Sequence, residues 1–386
     1  MKKICIISHI PTHPTTAGNQ ARIINLVNFY RSIGLEVHYI LLDYSSTDKD
    51  LIEFWGDKIH FIQQLPGVLS WIKRKIFNLK FAKIDKVIKK KIIKYFNRNY
   101  LVNYHHDAWY PFHLEDRALE TVKSIAPDYI QVEYLTLSRI LLKLDKNIIT
   151  ILDTHDMLSD RNLRFKKNTG FFSISSISEK IAINRSDNIL AITEEESKYF
   201  RKLTKKSVHT VGHLMPIVEP LPKPCLIGDC IRFGFLGSNN LINIQTYKQI
   251  VSQIESMDKN QFSLLVSGRI INTVEHLISK KVIYKECNSL NQFYSEIDVV
   301  LNPTINSTGL KIKNIEALYY GKVLITSIDG SQGLRDGINS AFICLDNKTL
   351  RDIVNIDLNN YARAGQKYII EKITEWENNL TEIFKS

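Results

Sequence analysis

The chain has 386 residues, 44% hydrophobic, 10% aromatic and 24% charged, which excludes intrinsic disorder because the apolar surface is ample to offset chain entropy. That length exceeds what one core holds, so two or three domains are expected. No run of about 18 uncharged apolar residues occurs, so no bilayer-spanning helix is expected. Lys and Arg outnumber Asp and Glu by 51 to 40, a formal charge of +11.

In chain order, residues 4–7 form an apolar run too short for a signal-peptide core and read as a buried first strand. Residues 9–19 form a loop with Pro11, Pro14 and Gly18. Residues 20–33 read as a helix with Ile23, Val27 and Tyr30 on one face and Gly34 as its stop. Residues 37–42 form the second strand.

The basic excess sits in residues 71–99, which hold eleven Lys/Arg against Asp85 alone. There Phe77, Phe81, Ile84, Ile88, Ile92 and Tyr95 step at helical spacing. Such a cationic amphipathic helix suits an anionic membrane surface, with Lys73, Arg74, Lys80, Lys89, Lys90 and Lys91 facing the lipid and each basic residue adding about 1 kcal/mol. It equally fits a surface helix whose lysines stay in water. No recognition module accompanies the patch, so nucleic acid is not an expected partner.

Residues 129–132, 148–152 and 188–192 add apolar runs between helical stretches, the pattern of a parallel sheet covered on both faces. Pro216, Pro220, Pro222 and Pro224 then mark an interdomain connection. The strand–helix rhythm restarts at 231–236 (strand), 244–254 (helix), 262–266 and 298–301 (strands), 310–320 (helix, stopped by Gly321) and 323–326 (strand). The tail 361–384 reads as helical. The fold class is α/β, two doubly wound parallel-sheet domains facing across a cleft. Residues 1–210 form the first, 211–229 the linker, 230–360 the second, and 361–386 a helix returning to the first. Cys5, Cys225, Cys230, Cys287 and Cys344 read as reduced thiols of a cytosolic protein, without zinc-ligand spacing.

The chemistry concentrates in residues 298–326. Thr308 can cap the helix, Gly309 leaves its amides accessible, and Lys311 puts a cation where the helix dipole is already positive, which calls for an anion such as a diphosphate. Glu316, in an apolar stretch, needs donors of the kind two ribose hydroxyls supply. Singly, Lys311 and Glu316 are also ordinary surface residues; the joint pattern is more specific.

The run from Asp298 to Thr326 resembles the donor-binding signature of GT-B glycosyltransferases, most closely the retaining family 4 that builds bacterial polysaccharides and lipid-linked glycans. That signature has a strand ending in proline, then Gly-x-x-x-Lys or Glu-x7-Glu, then an E-A-x-x-x-G-x-x-x-x-(T/S) run, which Glu316, Ala317, Gly321 and Thr326 match. His13, Pro14, Gly18, Asn19 and Arg22 resemble the family's first loop, which approaches the donor phosphates; residues 235–238 with Asn243 resemble the opening of its second domain. Residues 152–161 resemble a loop placed at the interdomain cleft, and residues 184–193 a characteristic strand. The likeness spans residues 4 to about 333 of the chain. Thr308 stands where the first acid of the pair belongs, Ser238 and Asn239 where Arg and Lys are usual, and Glu133 where a histidine is usual. Sugar contacts must therefore differ, and Lys311 becomes the main phosphate cation.

The resemblance implies transfer of a sugar from a nucleotide diphosphate sugar to a glycan or lipid-linked acceptor, in bacterial surface polysaccharide synthesis, by a cytoplasmic enzyme peripheral on the inner membrane face. It implies no cofactor and no metal, the leaving diphosphate being stabilised by a helix N-terminus and basic side chains. The implied donor site is Gly18, Asn19, Gly237, Ser238, Asn239, Thr308, Gly309, Leu310, Lys311 and Glu316. Glu133, His155 and Asp156 are the candidates to orient or deprotonate the acceptor. His155 beside Asp156 also reads as a hydrogen-bonded pair closing its loop, and Asp153 as a turn or cap residue. Two other readings remain: a nucleotide-sugar epimerase on the same fold, and a non-catalytic scaffold binding membrane or polymer.

Overall fold

Short runs of Ile, Val and Leu without polar alternation must be buried on both faces, and helices with one apolar face follow them, so each run becomes a parallel strand between helices. In the computed structural model this happens twice, in units Met1–Thr210 and Val211–Ser386. The structure describes residues 1–15, 17–43, 48–63, 104–161, 172–216, 222–224, 230–257, 262–275, 281–287, 289–305, 309–346, 349–353 and 356–385. The basic segment 71–99, with Lys73, Arg74, Lys80, Lys89, Lys90 and Lys91, lies outside the described residues, as do Thr308, Pro220 and Cys225.

The first unit contains β1 (Lys3–Ser8), α1 (Gly18–Ser32), β2 (Glu36–Leu42), α2 (Lys49–Trp55), β3 (Ile59–Ile62), α3 (Glu115–Ile125), β4 (Tyr129–Glu133), β5 (Ile149–Asp153), α4 (Ser176–Ile183), β6 (Asn188–Ala191), α5 (Glu194–Leu203) and β7 (Ser207–Thr210). Its seven strands lie in the order β3-β2-β1-β4-β5-β6-β7, every ladder parallel. Helix α1 begins at Gly18, earlier than the apolar periodicity suggests, because Gln20 reaches back to accept the Ala17 N–H at 2.9 Å and closes the first turn.

The second unit contains β8 (Ile231–Leu236), α6 (Leu241–Glu255), β9 (Phe262–Ser267), α7 (Ile271–Val274), β10 (Val282–Tyr284), α8 (Leu290–Ser295), β11 (Val299–Asn302), α9 (Ile312–Tyr319), β12 (Val323–Thr326), β13 (Ile343–Cys344), α10 (Leu350–Ile353) and α11 (Leu358–Thr381). Six parallel strands run β10-β9-β8-β11-β12-β13. The expected pair of doubly wound parallel sheets is therefore present. Helix α9 starts at Ile312, not near residue 309. Gly309 takes φ +74° and Lys311 is extended, with φ −94° and ψ 98°, so the backbone enters the helix only after Lys311. Helix α11 packs on α9 and β12, and its Trp376 ring occupies the space over Gly212, where a Cβ would come within 2.5 Å of the indole. Among the described residues, no helix is long and apolar enough to cross a membrane.

Candidate functional site

Each sheet reverses its strand order beside its first strand, between β1 and β4 in one unit and between β8 and β11 in the other. Outside the carboxyl ends at such a switch point is where open α/β sheets hold ligands. Both positions carry a polar centre.

In the first unit, parallel register sets Glu133 directly beside Asp153, two fully buried acids on neighbouring strands. Like charges so placed repel, and the surrounding residues resolve it. Arg22, buried on α1, donates to Asp153 in a two-pronged pair at 2.7 and 2.9 Å. The imidazole N–H at Nε2 of His155 donates to Glu133 at 2.5 Å. Gln131 donates to the other Glu133 oxygen at 2.6 Å and accepts from the buried Tyr30 hydroxyl. Burial raises Glu133 above the usual carboxylate range despite His155. Burial acts the same way on Asp153, but the Arg22 guanidinium outweighs it and holds that carboxylate low. The Tyr134 ring stacks on His155 at 4.0 Å and 9°, and its hydroxyl accepts from Asn19 at 3.0 Å. Tyr134 and His155 hold φ of +66° and +59°, left-handed conformations that cost about 1–3 kcal/mol each in a non-glycine residue and gather at functional sites.

Asp156 does not bond its neighbour His155. It pairs with Arg161 at 2.6 Å, and its Oδ1 is buried without a hydrogen-bond partner. Glu196, in the first turn of α5, accepts the Met157 N–H at 3.2 Å, while its Oε2 is buried and unpaired. Burial, then the Asp156 charge, pushes Glu196 up to about 8.

In the second unit the loops after β8 and β9 touch. Gly268 has φ +88°, and a Cβ there would lie 2.6 Å from the Gly237 carbonyl oxygen, so only glycine fits. Asn240 caps α6 by accepting the Asn243 N–H at 2.8 Å. Asn243 in turn donates to the Ser238 carbonyl and hydroxyl, both at 2.9 Å. Lys313, half-buried on the first turn of α9, donates to Asn243 at 3.3 Å and lies 5.8 Å from the Phe235 ring centroid. One turn on, Glu316 is buried and accepts from the Tyr294 hydroxyl at 3.2 Å. Burial pushes Lys313 down to about 8, with Glu316 pulling it up and Lys311 down. Burial raises Glu316, with Tyr294 and then Lys313 opposing. The loop behind α9 is fixed by Asn314, which accepts from Asn302 at 2.7 Å and donates to the Gly330 carbonyl at 2.9 Å.

The structure thus brings Gly237, Ser238, Asn243 and Lys313 together at the end of β8. Asn239 is exposed beside them, and Gly309 and Leu310 precede α9 outside its hydrogen-bonded turns. The ammonium of Lys311 donates to the Gly309 carbonyl at 2.8 Å. Gly18 and Asn19 open α1. Arg22, expected near phosphates, is bound to Asp153 instead, and Asp153 is a buried ion-pair partner at a strand end, not a turn residue. Sequence reasoning missed Lys313, although Gly309 to Lys313 is the Gly-x-x-x-Lys spacing, and it missed Tyr134, which nothing in its sequence context marks.

Among the described residues, two groups of side chains could in principle hold a metal ion: Glu133, Asp153 and His155, and His105, His106 and Asp107. Neither fits a cation. Arg22 fills Asp153 in the first, and Arg185 and Arg139 already donate to Asp107 in the second.

No protein-family profile matches the chain. An uncharacterised 44.6 kDa protein of the cps region of Klebsiella pneumoniae is 22% identical over 222 residues, 53% of this chain and 56% of that one; the match spans little more than half of that curated relative. Solved structures match throughout. Sucrose-phosphate synthase from Thermosynechococcus elongatus is 14% identical, covering 100% of this chain and 98% of that one, with a TM-score of 0.69. A mutant S. aureus TarM, solved with fondaparinux, alpha-GlcNAc-glycerol and UDP, is 12% identical over 100% of both chains, at 0.68. Anabaena HepE, solved with UDP and glucose, is 12% identical over 100% of this chain and 99% of its own, at 0.64. These structural neighbours are GT-B glycosyltransferases, and the chain has their fold.

Proposed function

We propose that the chain transfers a sugar from a nucleotide diphosphate sugar to a hydroxyl of a glycan or lipid-linked acceptor, in bacterial surface polysaccharide synthesis, metal-independently and with retention at the anomeric carbon. Its place is the cytoplasmic face of the membrane, a reading supported by the charge of residues 71–99. The observation that carries the proposal is Lys313, a cation whose burial has lowered its pKa to about 8 at the switch point of a nucleotide-binding type of sheet. An anion beside it offsets the cost of keeping that half-buried ammonium charged, and the diphosphate leaving group is such an anion.

As the bond from the sugar to the diphosphate breaks, negative charge grows on the leaving oxygen, and a preplaced donor stabilises it more than it stabilises the ground state. Lys313 supplies that charge, with the first free amides of α9 beside it. Glu316 keeps acceptor capacity beyond its Tyr294 bond for ribose hydroxyls. In the first unit, Glu133 has no exposed surface and acts through His155, whose ring it orients to take a proton from the acceptor.

The test is thermal shift with UDP, GDP and ADP, since a ligand at 100 times its dissociation constant stabilises by about 2.7 kcal/mol. One of the three shifts the wild type. Lys313→Ala removes the shift and lowers nucleotide release from the matching sugar donor by about 10²–10³-fold. An undiminished shift in that variant sinks the assignment of Lys313, and no shift with any nucleotide sinks the transferase reading.

A further inference from the structure

Tyr134 and His155 stand just past the carboxyl ends of the paired strands β4 and β5. Register explains why they meet: Glu133 lies opposite Asp153, and the Tyr134 N–H donates to the Asp153 carbonyl at 2.9 Å. The bond from His155 Nε2 to Glu133, 2.5 Å long, fixes one atom of the imidazole but not its plane, which can still swing about that bond. The Tyr134 ring, 4.0 Å away and within 9° of parallel, removes the swing. A ring that holds another must itself be held. The Tyr134 hydroxyl accepts from Asn19 Nδ2 at 3.0 Å, and Asn19 Oδ1 accepts the Gln20 N–H at 3.0 Å, so both polar atoms of that amide are engaged at the start of α1. His9, just past β1, meets the same Tyr134 ring at 5.5 Å.

With Nε2 on Glu133, the nitrogen left for chemistry is Nδ1, which bonds none of the described residues. The His155 side chain is only 6% exposed, so a small turn of the ring decides whether Nδ1 meets a ligand or the protein around it. Tyr134 is not itself the proton acceptor. Burial pushes its phenol up to about 12, against the opposing Asn19 bond, so it stays a neutral hydroxyl. Its backbone, at φ +66° and ψ 142°, is one a non-glycine residue adopts at a cost of about 1–3 kcal/mol and keeps only where the surroundings fix it. Here that conformation lays the ring flat on the imidazole.

We infer that Tyr134, tethered by Asn19, is a positioning residue that sets the plane of the His155 ring so that Nδ1, not Nε2, takes the proton of the acceptor hydroxyl. This rests on the acceptor role proposed above for His155. In that step the acceptor oxygen bonds the anomeric carbon, the bond from that carbon to the diphosphate breaks, the diphosphate leaves with the electron pair, and the hydroxyl proton ends on Nδ1. Asn19 then serves this support and not the donor phosphates. Two measurements on the full chain test it. The first is NMR of the nitrogen-15-labelled histidines at neutral pH, with the His155 signals identified by their loss in His155→Gln. In the wild type His155 is bare at Nδ1 and carries a protected low-field proton at Nε2. That proton exchanges away in Tyr134→Ala and persists in Tyr134→Phe, which keeps the ring. The second is nucleotide release from the matching sugar donor, with water in the acceptor's place. Tyr134→Ala lowers kcat about 10²-fold at unchanged donor KM, whereas Tyr134→Phe and Asn19→Ala, which lose only the tether, lower it about three- to tenfold. The inference is overturned by the opposite tautomer in the wild type, by a protected Nε2 proton in Tyr134→Ala, by equal losses in Tyr134→Phe and Tyr134→Ala, or by a wild-type rate in Asn19→Ala. A wild type that releases no nucleotide from any donor sinks the transferase reading instead, and the Nε2 proton still decides what Tyr134 holds.

Discussion

The polar centre at the end of β4 and β5 and the one at the end of β8 and β11 hold similar residue types and use them differently. In the first, each carboxylate meets a donor inside the protein: Asp153 has the Arg22 guanidinium, and Glu133 has the His155 N–H. In the second, the Lys313 ammonium meets an amide oxygen and a ring face, and among the described residues no ion pair to it is recorded. A compensated network rigidifies; a cation left short of an anion keeps its free energy for a ligand. On the proposed reading, the contrast separates a scaffold for orienting one side chain from a binding site.

Breaking the compensated side has the largest expected effect. Arg22→Met strands Asp153 as a buried unpaired carboxylate and costs about 3–5 kcal/mol of stability in the first unit, read by denaturant unfolding. Adding Asp153→Asn recovers most of that loss, whereas nucleotide affinity in the second unit is unmoved by either change. A recovery no larger than for a distant substitution breaks the comparison. Glu196 sharpens it from the opposite direction, as an acid with no cation. Its folded pKa of about 8 lies above the ordinary glutamate value of 4.5, so folding takes up a proton and stability falls as pH rises from about 4.5 through 8. Glu196→Gln removes that penalty, raising stability by about 1–3 kcal/mol at pH 8 with little change at pH 4; equal effects at both pH values count against a neutral buried acid.

The smallest effect is on ligand binding. Lys313 is charged below about 8, and an anion prefers it charged. Affinity for nucleoside diphosphate is therefore full at pH 7 and weakens above 8, by no more than about tenfold per pH unit. Lys313→Arg flattens the profile, because a guanidinium does not titrate there. Calorimetric titration from pH 6.5 to 9.5 reads both, and a flat wild-type profile argues that another group meets the anion.

The nine inner strands were legible almost to the residue, since burial on both faces writes continuous apolar runs such as residues 231–236 and 323–326; the edge strands β3, β7, β10 and β13 were not, the first three being only partly buried. Helix starts were less so, because they are set by side chains that reach back, as Gln20 does to Ala17. That difference decided the site. If the helix runs from residue 309 or 310, Lys311 looks like the first-turn cation, yet five residues to Glu316 is about 140° around a helix. Lys313 and Glu316, three apart, share a face, and with α9 starting at Ile312 that face is the one toward Phe235. The pairing of Arg22 with Asp153 spans 131 positions and follows from sheet order and register, which local sequence does not encode. His155 was legible as a candidate in its loop, whereas Tyr134 is marked only by its positive φ and its stacking on His155.

The placement of α11 bears on how the protein matures. This helix is synthesised after every strand of its sheet, yet it braces α9, which bears Lys313, and its Trp376 seals the chain at Gly212, where the unit begins. A nascent polypeptide halted before residue 358 has all six strands but lacks the helix that braces α9 and β12. On the proposed reading, competence to bind a donor thus arrives only late in translation.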